Sequence, residues 1–403
     1  MVRLKSLALF LCVVYMLAAC GSTTPARKPA AVVTQHNQVI PASLLQGSSV
    51  GDWPMFGYDP GHTGHVDARV QPRTLNGILT WSRVFAPIFS SAVAGLGMVY
   101  IASTDGYLYA LSQSTGAIIW RAEVGNYLTD STPALEGQTL FVATHGTTIE
   151  ALNARTGTAY WTFALNERIE APPLAVGSRV LVVSRTTLWS LNDTDGSLLW
   201  KFHSGAVGWP TTGVPAVTGD TVYVGLGSGS SLWALNLTNG QTVWSFDTSD
   251  RITSAPLVNA GIVYIATWHG EIFALDRARG TMLWVYTLNG TTKQSIIDGV
   301  GGSMALASGK LYMGDYRGGL ICLDGQHGRL LWRFATGAQV LATPVVAAGF
   351  VYFGSDDGNF YALDIQTGRP AWHYATGEVR SSASLAGGHL FVGSLNGAMY
   401  AFN

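Results

Sequence analysis

His62 and His65 stand three residues apart, a spacing at which two imidazoles can share a metal. No further ligand stands nearby, and a closed zinc site takes four. Asp356-Asp357-Gly358 reads as a hairpin turn, because a calcium loop needs more oxygen ligands at fixed spacing. Gly225-Leu226-Gly227-Ser228-Gly229 is glycine-rich but precedes a strand, where a dinucleotide phosphate needs a helix. No Gly-x-Ser-x-Gly sequence falls between a strand and a helix, as a nucleophile elbow does. The 3 cysteines are Cys12, Cys20 and Cys322; none forms CxxCH, so no haem attachment is implied. No catalytic or metal-ligating set is therefore assigned. What remains is recognition chemistry. Arg168, Arg251 and Arg380 are the candidate contact cations, Asp130 and Asp298 their possible carboxylate partners, and Trp209 the candidate aromatic anchor. Arginine and aromatic side chains carry much of the energy at protein interfaces.

Composition narrows the class. Of 403 residues, 48% are hydrophobic and only 12% charged, half the usual share of about 25%, which excludes disorder over most of the length. Lys+Arg is 23 against 24 Asp+Glu, so no basic excess exists to neutralise a phosphate backbone, and nucleic acid is not an expected partner. The 48 glycines and 13 tryptophans point to a β protein with many tight turns.

Residues 1–19 read as an export signal. Arg3 and Lys5 precede an apolar run from Ser6 to Ala19, shorter than the roughly 20 residues that span a bilayer. Leu17-Ala18-Ala19-Cys20 resembles a bacterial lipobox, which implies cleavage before Cys20 and lipidation of that cysteine. Cys12 leaves with the leader, Cys20 is acylated, and Cys322 stands alone as a small buried hydrophobe, so no intrachain disulfide is expected. Losing Arg3 and Lys5 takes the charge from -1 to -3. Residues 20–50, rich in Ser, Thr, Pro, Ala and Gln, read as a flexible tether whose span is roughly 30 Å.

Residues 51–403 are one unit repeated. Gly-x-x-x-Trp occurs with Trp81, Trp120, Trp161, Trp200, Trp244, Trp284, Trp332 and Trp372, at spacings of 39, 41, 39, 44, 40, 48 and 40. Each unit holds four short β-runs split by Gly-containing turns, and a period near 40 with four strands is a propeller blade. The expected fold is all-β: an eight-bladed β-propeller of four-stranded antiparallel blades. The chain ends on Met399-Tyr400-Ala401-Phe402-Asn403, a third strand without its fourth. The missing strand stands at the other end, in Asn76–Trp81, so the first strand is expected to pair into the last blade and close the ring. The eight tryptophans are read as structural docking residues, since equivalence across all units argues for one packing role.

The segment Tyr361-Ala362-Leu363-Asp364-Ile365-Gln366-Thr367-Gly368-Arg369-Pro370-Ala371-Trp372 resembles the tryptophan-docking repeat of pyrroloquinoline quinone (PQQ)-like β-propellers. Asp52-Trp53-Pro54-Met55-Phe56-Gly57-Tyr58-Asp59-Pro60-Gly61-His62-Thr63-Gly64 resembles the lead-in before many bacterial propellers of this type. Two branches bear on function. Quinoprotein dehydrogenases hold PQQ and calcium at the ring centre and carry two adjacent cysteines, which this chain lacks. The BamB-like lipoprotein scaffold of outer-membrane protein assembly has no known catalysis. Lipobox, tether and compact blades resemble the second more closely. That resemblance implies no cofactor, envelope proteins such as a β-barrel assembly component as partners, a monomer within a complex, and a membrane contact through the N-terminal lipid. It places the protein on the periplasmic face of an outer membrane, or on the outer face of the cell membrane where there is only one. The alternative is a PQQ-dependent oxidoreductase with calcium, or a propeller that binds a small ligand.

The links from each Trp strand into the next blade share one face, and two are long, 201–215 and 285–303. Insertions in repeat proteins gather on the binding face. The position three residues before each expected inner strand holds Phe89, Asp130, Glu170, Thr212, Thr253, Gly301, Leu341 and Arg380. That variety, beside invariant Gly and Trp, fits a ligand site, a protein-contact face or a solvated loop.

Overall fold

The computed structural model describes residues 52–65, 75–125, 132–144, 146–205, 213–226, 230–288, 300 and 302–403. The leader, the tether with Cys20, and Asp130, Trp209 and Asp298 lie outside the described residues. Among the described residues are eight four-stranded antiparallel sheets, arranged as a β-propeller.

The fifth blade shows how the sequence writes a unit. Its strands are Leu257–Asn259, Ile262–Ala266, Glu271–Asp276 and Met282–Thr287. Ala260 and Gly261 both have positive φ, 47° and 86°, the two-residue turn whose twist suits a tight hairpin. Asp276 Oδ1 accepts the backbone N–H groups of Ala278 and Arg279 at 3.0 and 2.8 Å, and Gly280 N–H closes the turn on Asp276 O at 2.8 Å. This is an Asx turn, which is why Asp or Asn recurs there. The inner strands are buried, whereas the outer strand alternates toward solvent.

The repeated Gly and Trp meet across blade boundaries. Trp244 Nε1 donates to Arg277 O of the following blade at 3.0 Å, and its indole lies over Gly280. A Cβ on Gly280 would sit 2.5 Å from Trp244 Cε3, and its φ of +69° already disfavours a side chain. Every one of the eight docking tryptophans makes this contact with the next blade's motif glycine and donates its indole N–H to that blade's backbone. The ring closes as the sequence suggests: Leu79–Val84 pairs antiparallel with Ala398–Phe402, and Trp372 Nε1 reaches Leu75 O at 3.3 Å.

The lead-in is also part of the hub. Trp53 and Ala94 exchange both backbone hydrogen bonds, at 2.7 and 2.8 Å. Further on, the carbonyls of Pro54, Pro60, Gly61, Thr63 and Gly64 accept the inner-strand N–H groups of Leu135, Val217, Val258, Leu306 and Val346 at 2.7–2.9 Å. Residues 53–64 thus satisfy the inner-edge backbone of six blades, groups that would otherwise face the channel unpaired. Met55 packs into the core cluster shared by the second, third and fourth blades.

Candidate functional site

The bonded inner-strand residues lie toward the first hairpin turn of each blade, so the lead-in closes the channel from that end. What remains is a blind funnel of about 460 Å³ opening on the face that carries the inter-blade links. Phe56 lines it from the lead-in, and His62 packs edge-on behind that ring with centroids 5.8 Å apart. His62 is fully buried, and neither ring nitrogen has a hydrogen bond of full geometry. Burial lowers its pKa to about 4, although the nearby Pro256 backbone favours the proton.

Two rings of side chains form the funnel wall. Phe89, Thr253, Leu341 and Arg380 belong to the upper ring, the variable position singled out in the sequence. It lies four residues before the inner strands, which begin at Val93, Leu257, Val345 and Ser384, one residue later than the sequence suggested. Two residues deeper is a second ring whose chemistry the sequence comparison missed. Along one arc its hydroxyls link successive blades: Ala255 N–H donates to Ser303 Oγ at 2.9 Å, Ser303 N–H to Thr343 Oγ1 at 3.0 Å, and Thr343 N–H to Ser382 Oγ at 3.0 Å. Ser382 N–H then donates to Ser91 Oγ at 3.0 Å, and Ser91 N–H to Thr132 Oγ1 at 2.9 Å. The opposite arc carries Pro172 and Val214. Shifting the repeat comparison by two residues would have exposed this polar and apolar division.

The three arginines have different surroundings. Arg168 is 59% exposed and lies 3.9 Å from Glu170, whose carboxyl burial pushes upward in pKa. Arg251 stacks on Trp268, its guanidinium carbon 4.3 Å from the ring centroid. Trp268 in turn meets Tyr316 at 5.6 Å. Burial raises the Tyr316 pKa, and the positive charges of Arg251 and Arg380 both act to lower it. Arg380 grips Asp356 through Nε at 3.1 Å to each oxygen and through Nη2 at 2.9 Å. That hydrogen bonding raises the Arg380 pKa further. Gln339 Nε2 donates to the same carboxylate at 2.7 Å.

Arg251 and Arg380 are therefore brought together at the funnel mouth around Trp268 and Tyr316, and Arg168 is not part of that group. The observed partner of Arg380 is Asp356, a residue the sequence assigned only to a hairpin turn. Nothing in the repeat pattern marks Trp268 and Tyr316. Each sits in the turn between the second and third strands of its blade, and an aromatic in that short polar turn was the signal available. Cys322 is fully buried, and burial pushes its thiol up to about 12, as suits an inert core residue.

The model of the family described as outer membrane protein assembly factor BamB matches residues 104–300 and 269–403. The chain belongs to this family. BamB of Yersinia pestis is 25% identical over 223 residues, 50% of this chain and 56% of that protein. Tetrathionate hydrolase of Acidithiobacillus ferrooxidans is 26% identical over 204 residues, 50% of this chain and 38% of the relative. The chain spans about half the length of the curated relatives it matches. The fold is shared with quinohemoprotein alcohol dehydrogenase of Comamonas testosteroni, at TM-score 0.72 and 16% identity over 91% of this chain and 82% of that one. The propeller fold is thus shared by an assembly factor and an enzyme, and residues rather than fold must decide between such functions.

Proposed function

We propose that this chain is a non-catalytic envelope lipoprotein, anchored through Cys20, that holds a partner protein on the funnel face of its propeller during outer-membrane protein assembly. The observation that carries this reading is the match to the BamB assembly-factor model, which extends from residue 104 to residue 403. The cluster of Arg251, Trp268, Tyr316 and Arg380 supports the choice of face, because stacked aromatic and guanidinium groups are typical interface anchors. A tether spanning roughly 30 Å lets the body reach a membrane-embedded partner while the lipid stays in the bilayer.

The shared fold makes a PQQ enzyme the second reading. The donor set supports it poorly. Calcium takes about 6–8 oxygen ligands, carboxylates prominent among them. Among the described residues, the funnel lining carries no carboxylate and no cysteine, and no group of three His, Cys, Asp or Glu side chains is placed to hold a metal.

The test is immunoprecipitation from native membranes under mild crosslinking. Recovery of a β-barrel assembly protein with the wild-type chain, lost in Arg251→Ala with Arg380→Ala, is the expected result. Saturable PQQ binding with calcium and alcohol-dependent dye reduction would replace this reading with the enzymatic one.

A further inference from the structure

The funnel is built to take something smaller than a protein. Its volume of about 460 Å³ falls within the roughly 300–1,000 Å³ range of small-molecule pockets. It is blind, because the lead-in seals its lower end and sets Phe56 in the wall. Its wall has two unlike sides. One arc, over five consecutive blades, carries the hydroxyls of Ser303, Thr343, Ser382, Ser91 and Thr132. The other, over the third and fourth blades, carries Pro172 and Val214.

The free hydroxyl protons of the polar arc, together with the positive charge of Arg380 above it, favour one class of ligand. A hydroxyl has one proton and two lone pairs. Each of these five oxygens already accepts a backbone N–H from the preceding blade. None of the five protons is committed to an acceptor among the described residues. Each hydroxyl therefore keeps its proton and one lone pair, so the arc can donate to a ligand. Above it, Arg380 commits Nε and one Nη2 hydrogen to Asp356, which leaves further N–H groups for a ligand. Among the described residues no carboxylate lines the cavity to receive a ligand's own donors.

We propose that the funnel binds a small amphipathic organic oxyanion, a carboxylate or sulfonate on a compact apolar body, without a metal. The oxyanion takes the hydroxyl protons of the polar arc, and the apolar body lies against Val214, Pro172 and Phe56. Leu341 and Phe89 narrow the entrance. This site shares Arg380 with the docking surface but otherwise lies inside the ring, below Trp268 and Tyr316; Thr343 and Leu341 are not part of the docking cluster, so substitutions there separate the two roles.

The test is a fluorescence titration of the full chain with 8-anilinonaphthalene-1-sulfonate, in the presence of EDTA. One saturable site is expected, displaced by octanoate but not by octanol, which has the same chain without the oxyanion. Thr343→Val should raise the Kd about tenfold, the usual worth of one hydrogen bond to a charged group, and Thr343→Ser should restore it. Leu341→Trp, which leaves every hydroxyl bond intact and obstructs the entrance, should abolish binding even if Thr343→Val does not fold. The proposal is overturned if no saturable binding is seen, if Leu341→Trp binds normally, or if octanol competes as well as octanoate. The last result would place the dye on the exposed apolar outer strands, where Met282, Leu283, Leu330 and Leu331 stand. Binding that is lost in EDTA and restored by calcium would likewise overturn it.

Discussion

Gly280→Ala offers the sharpest test of how the blades are held. Two independent costs arise at this position. Its φ of +69° lies in the left-handed region, where a side chain costs about 1–2 kcal/mol. The new methyl would also stand 2.5 Å from Trp244 Cε3 and 2.6 Å from Cδ2, so the indole must move, and overpacking of this kind costs about 1–3 kcal/mol. Together the loss is about 2–5 kcal/mol. Trp244→Ala removes the same contact from the other side, along with the hydrogen bond to Arg277 O, and should cost about 3–5 kcal/mol. The two changes are coupled through one contact. Once the indole is gone, Gly280→Ala should cost only its backbone share, about 1–2 kcal/mol. A double-mutant cycle in urea, with unfolding midpoints compared at constant m, should therefore return a coupling of about 1–3 kcal/mol. Additivity within about 0.5 kcal/mol would refute the docking account, because that is the behaviour of sites without a shared contact.

Other perturbations follow from the same geometry. His62 is held neutral by burial, its pKa moved from 6.5 to about 4, so the unfolded chain binds the extra proton between those values. Stability should be full above about pH 6.5 and fall by about 3 kcal/mol as the pH drops to 4. His62→Asn, which tolerates the positive φ of 55° there, should flatten that part of the pH profile in urea melts. Arg251→Ala removes a guanidinium stacked on Trp268, a contact worth about 0.5–1 kcal/mol, and should leave melting nearly unchanged while weakening partner capture, as read by melting and pull-down side by side. Deleting residues 75–84 removes the strand that covers Ala398–Phe402 and the acceptor of the Trp372 indole. Size-exclusion chromatography should then show self-association through the opened edge, where the intact chain stays monomeric.

Much of this architecture could be read from spacing. Gly-x-x-x-Trp marked each blade because one residue type must have no Cβ and the other must cover it, and that demand repeats eight times. The latch was legible because a strand missing at Phe402 was present at Trp81. The role of residues 53–64 was not. They have no internal periodicity, and their order comes from backbone carbonyls meeting six separate strands, a contact in which side-chain identity plays little part. The site was half legible. Comparing units found the variable upper ring and with it Arg380, but pairing depends on which turns crowd the mouth. Asp356 and Tyr316 come from different blades than the arginines they meet, and no local pattern ties them together. The hydroxyl arc was hidden for a related reason: Ser and Thr are common in turns, and their alignment into a ring appears only once the inner strands are registered.

Site-specific photo-crosslinking in native membranes addresses the account most directly. A photoreactive side chain placed at Tyr316, on the link-bearing face, is compared with one at Val285, exposed on an outer strand. The funnel-face account predicts a crosslink to a β-barrel assembly protein from position 316 and none from position 285. A crosslink to that protein from 285 alone, or from neither position while the chain reduces dye with PQQ and calcium, would contradict it.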